Sequence, residues 1–197
     1  MFYAKSPKCN ATKSLPNNYA SAIFEDSSGD IWIGTHAGFV KYNKETQETE
    51  RVIKDINISY SILEDINNKD VLWIATYQYG FFKYNKKTGK LKNYKHDKNN
   101  PNSIAHDFSL ASMNDKLDHN IIWIAQQPGG LDKFDKKTEK FTHYKHNPKD
   151  DTSIASDIVW FIYQDSNGNI WFAPMGGLIN LIKRQALLNI IRIFLEI

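Results

Sequence analysis

The chain has a single cysteine, Cys9. One thiol forms no internal disulfide, and it excludes a cysteine-rich zinc site. Net charge is also scarce: 25 Lys and Arg stand against 22 Asp and Glu, a balance of +3. That excess is too small to point to nucleic acid. The lysines fall mostly in turns such as Asn85-Lys86-Lys87-Thr88-Gly89-Lys90, which reads as solvated surface. Met1-Phe2-Tyr3-Ala4-Lys5 lacks an apolar h-region, so no secretory signal is expected at the start. The one late apolar stretch, INLIKRQALLNIIRIFLEI, is too short and too charged to span a bilayer. No nucleophile–base set or carboxylate pair can be placed, so no catalytic residue and no cofactor is assigned.

What the chain has is aromatics at 13%, and they recur. Trp32, Trp73, Trp123 and Trp171 lie 41, 50 and 48 residues apart. Each sits in one short phrase: IWIGTHAGFVKYN, LWIATYQYGFFKYN, IWIAQQPGGLDKFD and IWFAPMGGL. A unit of this length recurring along a chain marks a repeat architecture. Within the first unit, Tyr19 to Asp26 reads as a largely buried strand. Ser27 to Asp30 is turn chemistry, and Ile31-Trp32-Ile33 is a β-rich run. Gly38 marks a reversal, Phe39 to Tyr42 a third strand, and Glu50 to Ile53 an outer fourth. The other units repeat the order, the second from Ile58 and the third from about Phe108.

The expected fold is therefore all-β: a β-propeller with about four consecutive four-stranded antiparallel blades of an incomplete ring. Residues 1–13 read as the end of a preceding blade. The four blades take about 14–55, 56–102, 103–152 and 153–178, the last incomplete, and 179–197 form an aberrant tail. The tryptophans and strand aromatics are the expected filler between stacked blades. An open set of blades leaves two sheet faces uncovered, so self-association is expected.

Binding residues usually sit on variable loops of a rigid repeat. The loops between second and third strands carry His36, then Tyr77, Gln78 and Tyr79, then Gln126 and Gln127. Tyr77 and Tyr79 could stack on a sugar face. His143 and His146 fall on opposite faces of a strand end, which argues against a shared metal. Asp26-Ser27-Ser28-Gly29-Asp30 and Asp165-Ser166-Asn167-Gly168-Asn169 loosely resemble calcium loops. They lack the required glycine and bidentate acid, so hairpin turns explain them better and no metal site is assigned.

These units closely resemble the two-component regulator propeller repeat, roughly S-L-x-x-N-x-V-x-x-I-x-E-D-x-x-G-x-I-W-I-G-T-x-x-G-G-L-x-K-Y-D. Here it stands as SLPNNYASAIFEDSSGDIWIGTHAGFVKYN from Ser14 and SIASDIVWFIYQDSNGNIWFAPMGGL from Ser153. The third unit departs from it in lacking the glutamate-aspartate turn. The resemblance implies a piece of the extracytoplasmic, periplasmic sensor region of a hybrid two-component histidine kinase of the Bacteroidetes type. It implies an oligosaccharide ligand and a dimer partner in the intact receptor, with membrane helix and kinase elsewhere. This piece has no kinase motif and no membrane segment, and is expected not to be an enzyme. A propeller lyase or hydrolase and a protein-interaction scaffold are the alternatives, since fold does not fix function.

The tail has a specific explanation. Asn180 to Ile191 can be encoded so that reading from the third base yields FDKTTGTFKHY, identical at seven of eleven places to FDKKTEKFTHY at Phe134 to Tyr144. A one-base slip near Leu178 would replace a natural blade end by this sequence. Sequencing the gene checks it: the repeat is expected to continue past Leu178 in another frame, and a gene without it in any frame refutes the slip.

Overall fold

A computed structural model describes residues 14–54, 56, 59–176, 178–182 and 189–193. The expected preceding-blade end at 1–13, Cys9 and the rest of the tail lie outside them. Among the described residues there are sixteen strands and no helix, so none long and apolar enough to cross a membrane.

The first sheet is β1 (Ala20–Glu25), β2 (Ile31–Thr35), β3 (Gly38–Tyr42) and β4 (Thr49–Ile53). The second is β5 (Ser59–Glu64), β6 (Val71–Thr76), β7 (Phe81–Asn85) and β8 (Leu91–Tyr94). The third is β9 (Ser109–Asn114), β10 (Ile121–Gln126), β11 (Gly130–Asp135) and β12 (Lys140–Tyr144). The fourth is β13 (Val159–Gln164), β14 (Ile170–Pro174), β15 (Leu178–Ile182) and β16 (Asn189–Ile193). In every sheet the strands follow chain order, which makes each a four-stranded propeller blade. The chain divides into two compact units, Met1–Asn93 and Tyr94–Ile197.

The segment read as an aberrant tail holds two paired strands among its described residues. β15 and β16 complete the fourth blade inside it, pairing from Leu178↔Ile193 to Ile182↔Asn189. Its isoleucines (Ile179, Ile182, Ile190, Ile191 and Ile193) are β-branched and suit a pleated strand whatever their origin.

One contact recurs in all four blades. The aspartate that ends the first strand turns the chain and holds the tryptophan. Asp26 Oδ1 accepts the N–H groups of Ser28 and Asp30, while Oδ2 accepts the Trp32 indole N–H at 2.8 Å. Asp65 does the same for Asn67, Asn68 and Trp73 (2.7 Å). Asp115 does so for Leu117, Asp118 and Trp123 (2.9 Å), and Asp165 for Asn167, Asn169 and Trp171 (2.9 Å). The third blade therefore does not lack the acidic turn: Asn114-Asp115 fills it, with Asn only at the glutamate's place. These bonds identify the Asp-Ser-Ser-Gly-Asp and Asp-Ser-Asn-Gly-Asn segments as hairpin turns, with Gly29 and Gly168 at φ near +84° and +83°.

Period-two alternation gives each blade a tryptophan face and an isoleucine face. In the first unit, Trp32 and Phe39 of the first blade stack at 5.4 Å and meet Ile62, Leu72, Ile74, Phe82 and Tyr84 of the second blade in one buried cluster. In the second unit, Trp123 and Leu131 of the third blade meet Val159, Ile170 and Phe172 of the fourth.

A polar clasp joins the blades beside these cores. In the first unit Lys86 Nζ lies 2.7 Å from Asp26 Oδ2 and 3.0 Å from Glu64 Oε1. Glu64 Oε1 also accepts Ser27 N–H (3.2 Å) and Oγ–H (3.0 Å). In the second unit Gln164 stands where Glu64 does: its Oε1 accepts Lys116 N–H at 2.6 Å, and Nε2 donates to Asp115 Oδ1 at 3.4 Å. Burial pushes Asp26 and Glu64 up, but Lys86 and their other donors outweigh it, so both carboxyls sit below their ordinary range. Burial likewise opposes the Lys86 charge, and the two carboxylates outweigh that to hold its ammonium above the ordinary range.

Lys86→Ala is expected to cost about 3 kcal/mol at neutral pH, because it leaves the buried Asp26 carboxylate without its cation and Glu64 with only the exposed Lys69, at 3.1 Å. Depressed carboxyl values contribute stability above the unfolded pKa values, near 4, that is lost as pH falls through the folded ones. The deficit of the variant should therefore shrink below about pH 4, as checked by urea unfolding across pH.

Candidate functional site

Each blade places the same end of its first strand beside the loop between its second and third strands. The N–H that opens this loop bonds back to the residue before the strand: His36 to Tyr19 O (3.1 Å), Gln127 to Phe108 O (3.1 Å) and Met175 to Ile158 O (2.8 Å). The first strand is irregular at this end in all four blades. Register shifts fall between Ala20 and Ala22, between Ser59 and Ser61, at Gln126 against Ser109, and between Val159 and Phe161. The extra residues are Ser21, Tyr60, Leu110 and Trp160. A bulge bends the strand and re-aims the side chain it carries, which is why bulges gather next to sites. Sequence reasoning missed these four positions. The available signal was the extra residue that the paired strands need at this end.

The loop candidates divide on this frame. His36 is exposed and its ring stacks on Tyr19 at 5.2 Å. Tyr77, half-buried, meets the bulge residue Tyr60 edge to face at 6.4 Å. Gln78 is exposed at the loop tip with φ of 62°. These three, with Tyr19 and Tyr60, give the first unit a rim of aromatic rings and polar tips. Tyr79 instead packs against the buried cluster between the first two blades. Gln126 belongs to β10 and is fully buried, its Nε2 donating to His106 O at 2.9 Å. Alternation along β10 turns its side chain inward, so it supports the loop from beneath. Gln127 is half-buried beside Pro128. In the second unit Trp160, Met175 and Pro128 are exposed at this end.

Glycine is required where the loop returns. A Cβ on Gly130 (φ 79°) would strike Tyr144 O, and one on Gly38 (φ 130°) would lie 2.5 Å from Ile53 O. The Gly129 and Gly130 N–H groups both bond Asp157 O, at 3.0 and 2.8 Å, which ties the third blade's loop to the connector before the fourth blade.

The histidines of the connectors have structural partners. His96 Nδ1 lies 2.9 Å from Ile104 O, and His146 Nδ1 lies 2.8 Å from Ile154 O. His143 is separate: its Nδ1 is 2.6 Å from Asp132 Oδ1 and its Nε2 is 3.0 Å from Pro101 O. His143 and His146 thus face different partners. Asp132 is fully buried where the first two blades carry Val40 and Phe82, and it also accepts Ala105 N–H at 2.9 Å. Burial pushes its carboxyl up, while His143 draws it part of the way back. The Asp132 hydrogen bond, working against partial burial, raises the His143 imidazolium above its ordinary range. Both ring nitrogens of His143 meet acceptors, so this dyad pins the connector to the blade and leaves no nitrogen to act as a base. Among the described residues no cluster of three or more His, Cys, Asp or Glu could hold a metal.

The two-component regulator propeller family profile matches residues 14–37 and 153–176, two copies of the turn and tryptophan strand. No curated protein matches the chain in sequence. Among solved structures it is similar to the extracellular domain ascribed to a hybrid two component system of B. thetaiotaomicron, at 23% identity and TM-score 0.73, over 86% of this chain and 24% of that one. A second such domain from B. thetaiotaomicron matches at 25% identity and TM-score 0.69, over 84% of this chain and 21% of that one. An ancestral GH74 enzyme shares the fold at 15% identity and TM-score 0.66, over 92% of this chain and 26% of that one. The chain thus spans about a quarter of the length of these proteins.

A raised histidine contributes stability below its unfolded pKa, near 6.5, that is lost as pH rises through the folded value. Unfolding free energy is therefore expected to fall as pH rises above about 6.5. His143→Gln should flatten this slope, as followed by urea titrations from neutral to mildly alkaline pH.

Proposed function

We propose that this chain, built of two-component regulator propeller repeats, is part of the extracytoplasmic ligand-sensing propeller of a two-component sensor. The repeat matches and the likeness to sensor extracellular domains support that reading. In the intact receptor the propeller lies in the periplasm, pairs with a second receptor copy, and responds to an oligosaccharide. One observation carries the ligand class: the rim of the first unit sets exposed or half-exposed rings, His36 on Tyr19 and Tyr77 on Tyr60, beside the polar tip of Gln78. Aromatic faces bury the apolar faces of sugar rings, and the polar tips bond their hydroxyls.

The role is recognition. A glycan-processing propeller is the alternative, and the shared fold with a GH74 enzyme is what keeps it in view. A scaffold for protein partners is the third reading.

Calorimetric titration with a panel of oligosaccharides tests the proposal. One class should bind without being cleaved. Tyr77→Ala should weaken that binding about tenfold, roughly 1.4 kcal/mol, with unfolding free energy little changed. Release of new reducing ends would move the assignment to the enzyme. Binding unaffected by Tyr77→Ala and by His36→Ala would remove the rim from it.

A further inference from the structure

The third and fourth strands of the second blade carry a charge that the chain as a whole lacks. Phe81 to Tyr94 holds five lysines and no carboxylate. The equivalent Phe39 to Val52 of the first blade sets Lys41, Lys44 and Arg51 against Glu45, Glu48 and Glu50. Of the five lysines, Lys86 is taken up by the clasp and Lys87 lies 2.9 Å from Asp70. Lys83, Lys90 and Lys92 line one groove of about 280 Å³, together with Asn68, Asn85 and Thr88. The buried Val71 completes its wall.

The first blade has the corresponding groove, lined by Lys41, Asn43, Thr46, Glu48 and Glu50 among others. Register makes the two comparable. Trp32 faces Lys41 as Trp73 faces Lys83, and Asn43 N–H bonds Glu48 O as Asn85 N–H bonds Lys90 O. The first blade balances its groove internally. Lys41 lies 2.6 Å from Asp30, and Glu48 and Glu50 add two carboxylates. In the second blade Val71 stands at the place of Asp30, Lys90 at that of Glu48 and Lys92 at that of Glu50. Lys83 Nζ keeps its position over the indole, 5.3 Å from the centre of the Trp73 ring. Among the described residues no carboxylate lines this groove.

The neutral lining groups have their acceptors engaged by the turn backbone. Asn85 Oδ1 accepts the N–H groups of Lys87 and Thr88, Asn68 Oδ1 accepts Asp70 N–H, and Thr88 Oγ1 accepts Lys90 N–H. The two amide NH2 groups and the hydroxyl proton remain as donors. A wall of ammonium groups and neutral donors is complementary to an anion. A carboxylate offers two oxygens, whereas a phosphate ester offers three strong acceptors and up to about two charges, and so uses more of the wall.

We infer that this groove of the second blade binds a phosphate or sulfate group, free or as the ester of a small molecule. Lys83, seated on Trp73, supplies a positioned charge. Lys90 and Lys92 face it from the other side of the hairpin, and Asn68, Asn85 and Thr88 donate to the remaining oxygens. The volume lies near the lower end of small-molecule sites, roughly 300 Å³, which leaves room for one sugar-sized body beside the oxyanion. Asn68 and Thr88 belong to turns at the opposite end of the blade from Tyr77 and Gln78. The site is therefore separate from the aromatic rim and independent of the oligosaccharide reading.

Phosphorus NMR titration of the whole chain at low ionic strength tests the inference, with inorganic phosphate and glucose 6-phosphate as probes. At least one probe should show saturable broadening or shift, and sulfate should reverse it more effectively than chloride of equal ionic strength. Lys90→Glu, which gives the second blade the first blade's residue, should weaken binding about tenfold, and Lys83→Met, which keeps an apolar stem on the indole, about fivefold. Lys54→Glu makes the same charge change at an exposed lysine outside the groove and should leave binding unchanged. Unfolding midpoints of Lys90→Glu and Lys54→Glu should match wild type. Tighter binding of the sugar phosphate assigns an ester to the groove, and equal binding assigns the free anion. A wild type that binds neither probe overturns the inference, as does a loss with Lys54→Glu equal to that with Lys90→Glu.

Discussion

The indole-to-carboxylate bond of each blade is the contact from which the rest follows. A tryptophan buried in a blade core brings a polar N–H with it, and an unpaired buried donor costs about 1–3 kcal/mol. The turn aspartate meets that need with one oxygen and closes the hairpin with the other. One residue therefore fixes the turn, the register of the first two strands and the rotamer of the largest side chain. Once the indole is placed, the stacked phenylalanines Phe39 and Phe81 have a surface to lie on, at 5.4 Å in both blades. Lys41 and Lys83 then cover the indoles from the third strand.

Stacking of blades uses the same aspartate a second time. Its turn projects the next N–H to the neighbouring blade, where Glu64 or Gln164 accepts it. The two units solve this with different chemistry. The first uses a lysine between two carboxylates, and the second uses a neutral amide with a lysine folded onto the backbone. The geometry is common to both, so it is set by the turn and the blade spacing, while the charge on the accepting residue is free to vary.

The rim at the bulged strand ends is built on this rigid base. Loops bonded back to the strand at one fixed point vary at the next two or three positions, and the bulge adds a residue of different character in each blade: Ser21, Tyr60, Leu110 and Trp160. A propeller assembled this way can change the side chains of its rim without changing its blades. The asymmetry between the aromatic, hydroxyl-bearing first unit and the Trp160 and Met175 of the second shows that variation within one chain.

The repeat, its all-β character and the four blades are legible in the sequence, because a period of 41 to 50 residues and alternating apolar strands leave few other packings. The loops that carry the rim are legible too, since turn residues mark them. Which loop residues face outward was decided by tertiary structure. Gln126 and Tyr79 look like their neighbours in sequence, but one belongs to a strand and points inward, and the other fills a gap between blades. The Asp–Trp bond spans six residues in two blades and eight in the others, so no fixed spacing announces it. Asp115 was hidden because Asn114 replaces the glutamate that usually accompanies it. The bulges, the clasp and the His143–Asp132 dyad join strands or blades up to sixty residues apart in the chain. Local sequence sets which turns and strands can form. Only the stacked sheets determine which polar groups meet, because burial between two faces is what makes each of those partners necessary.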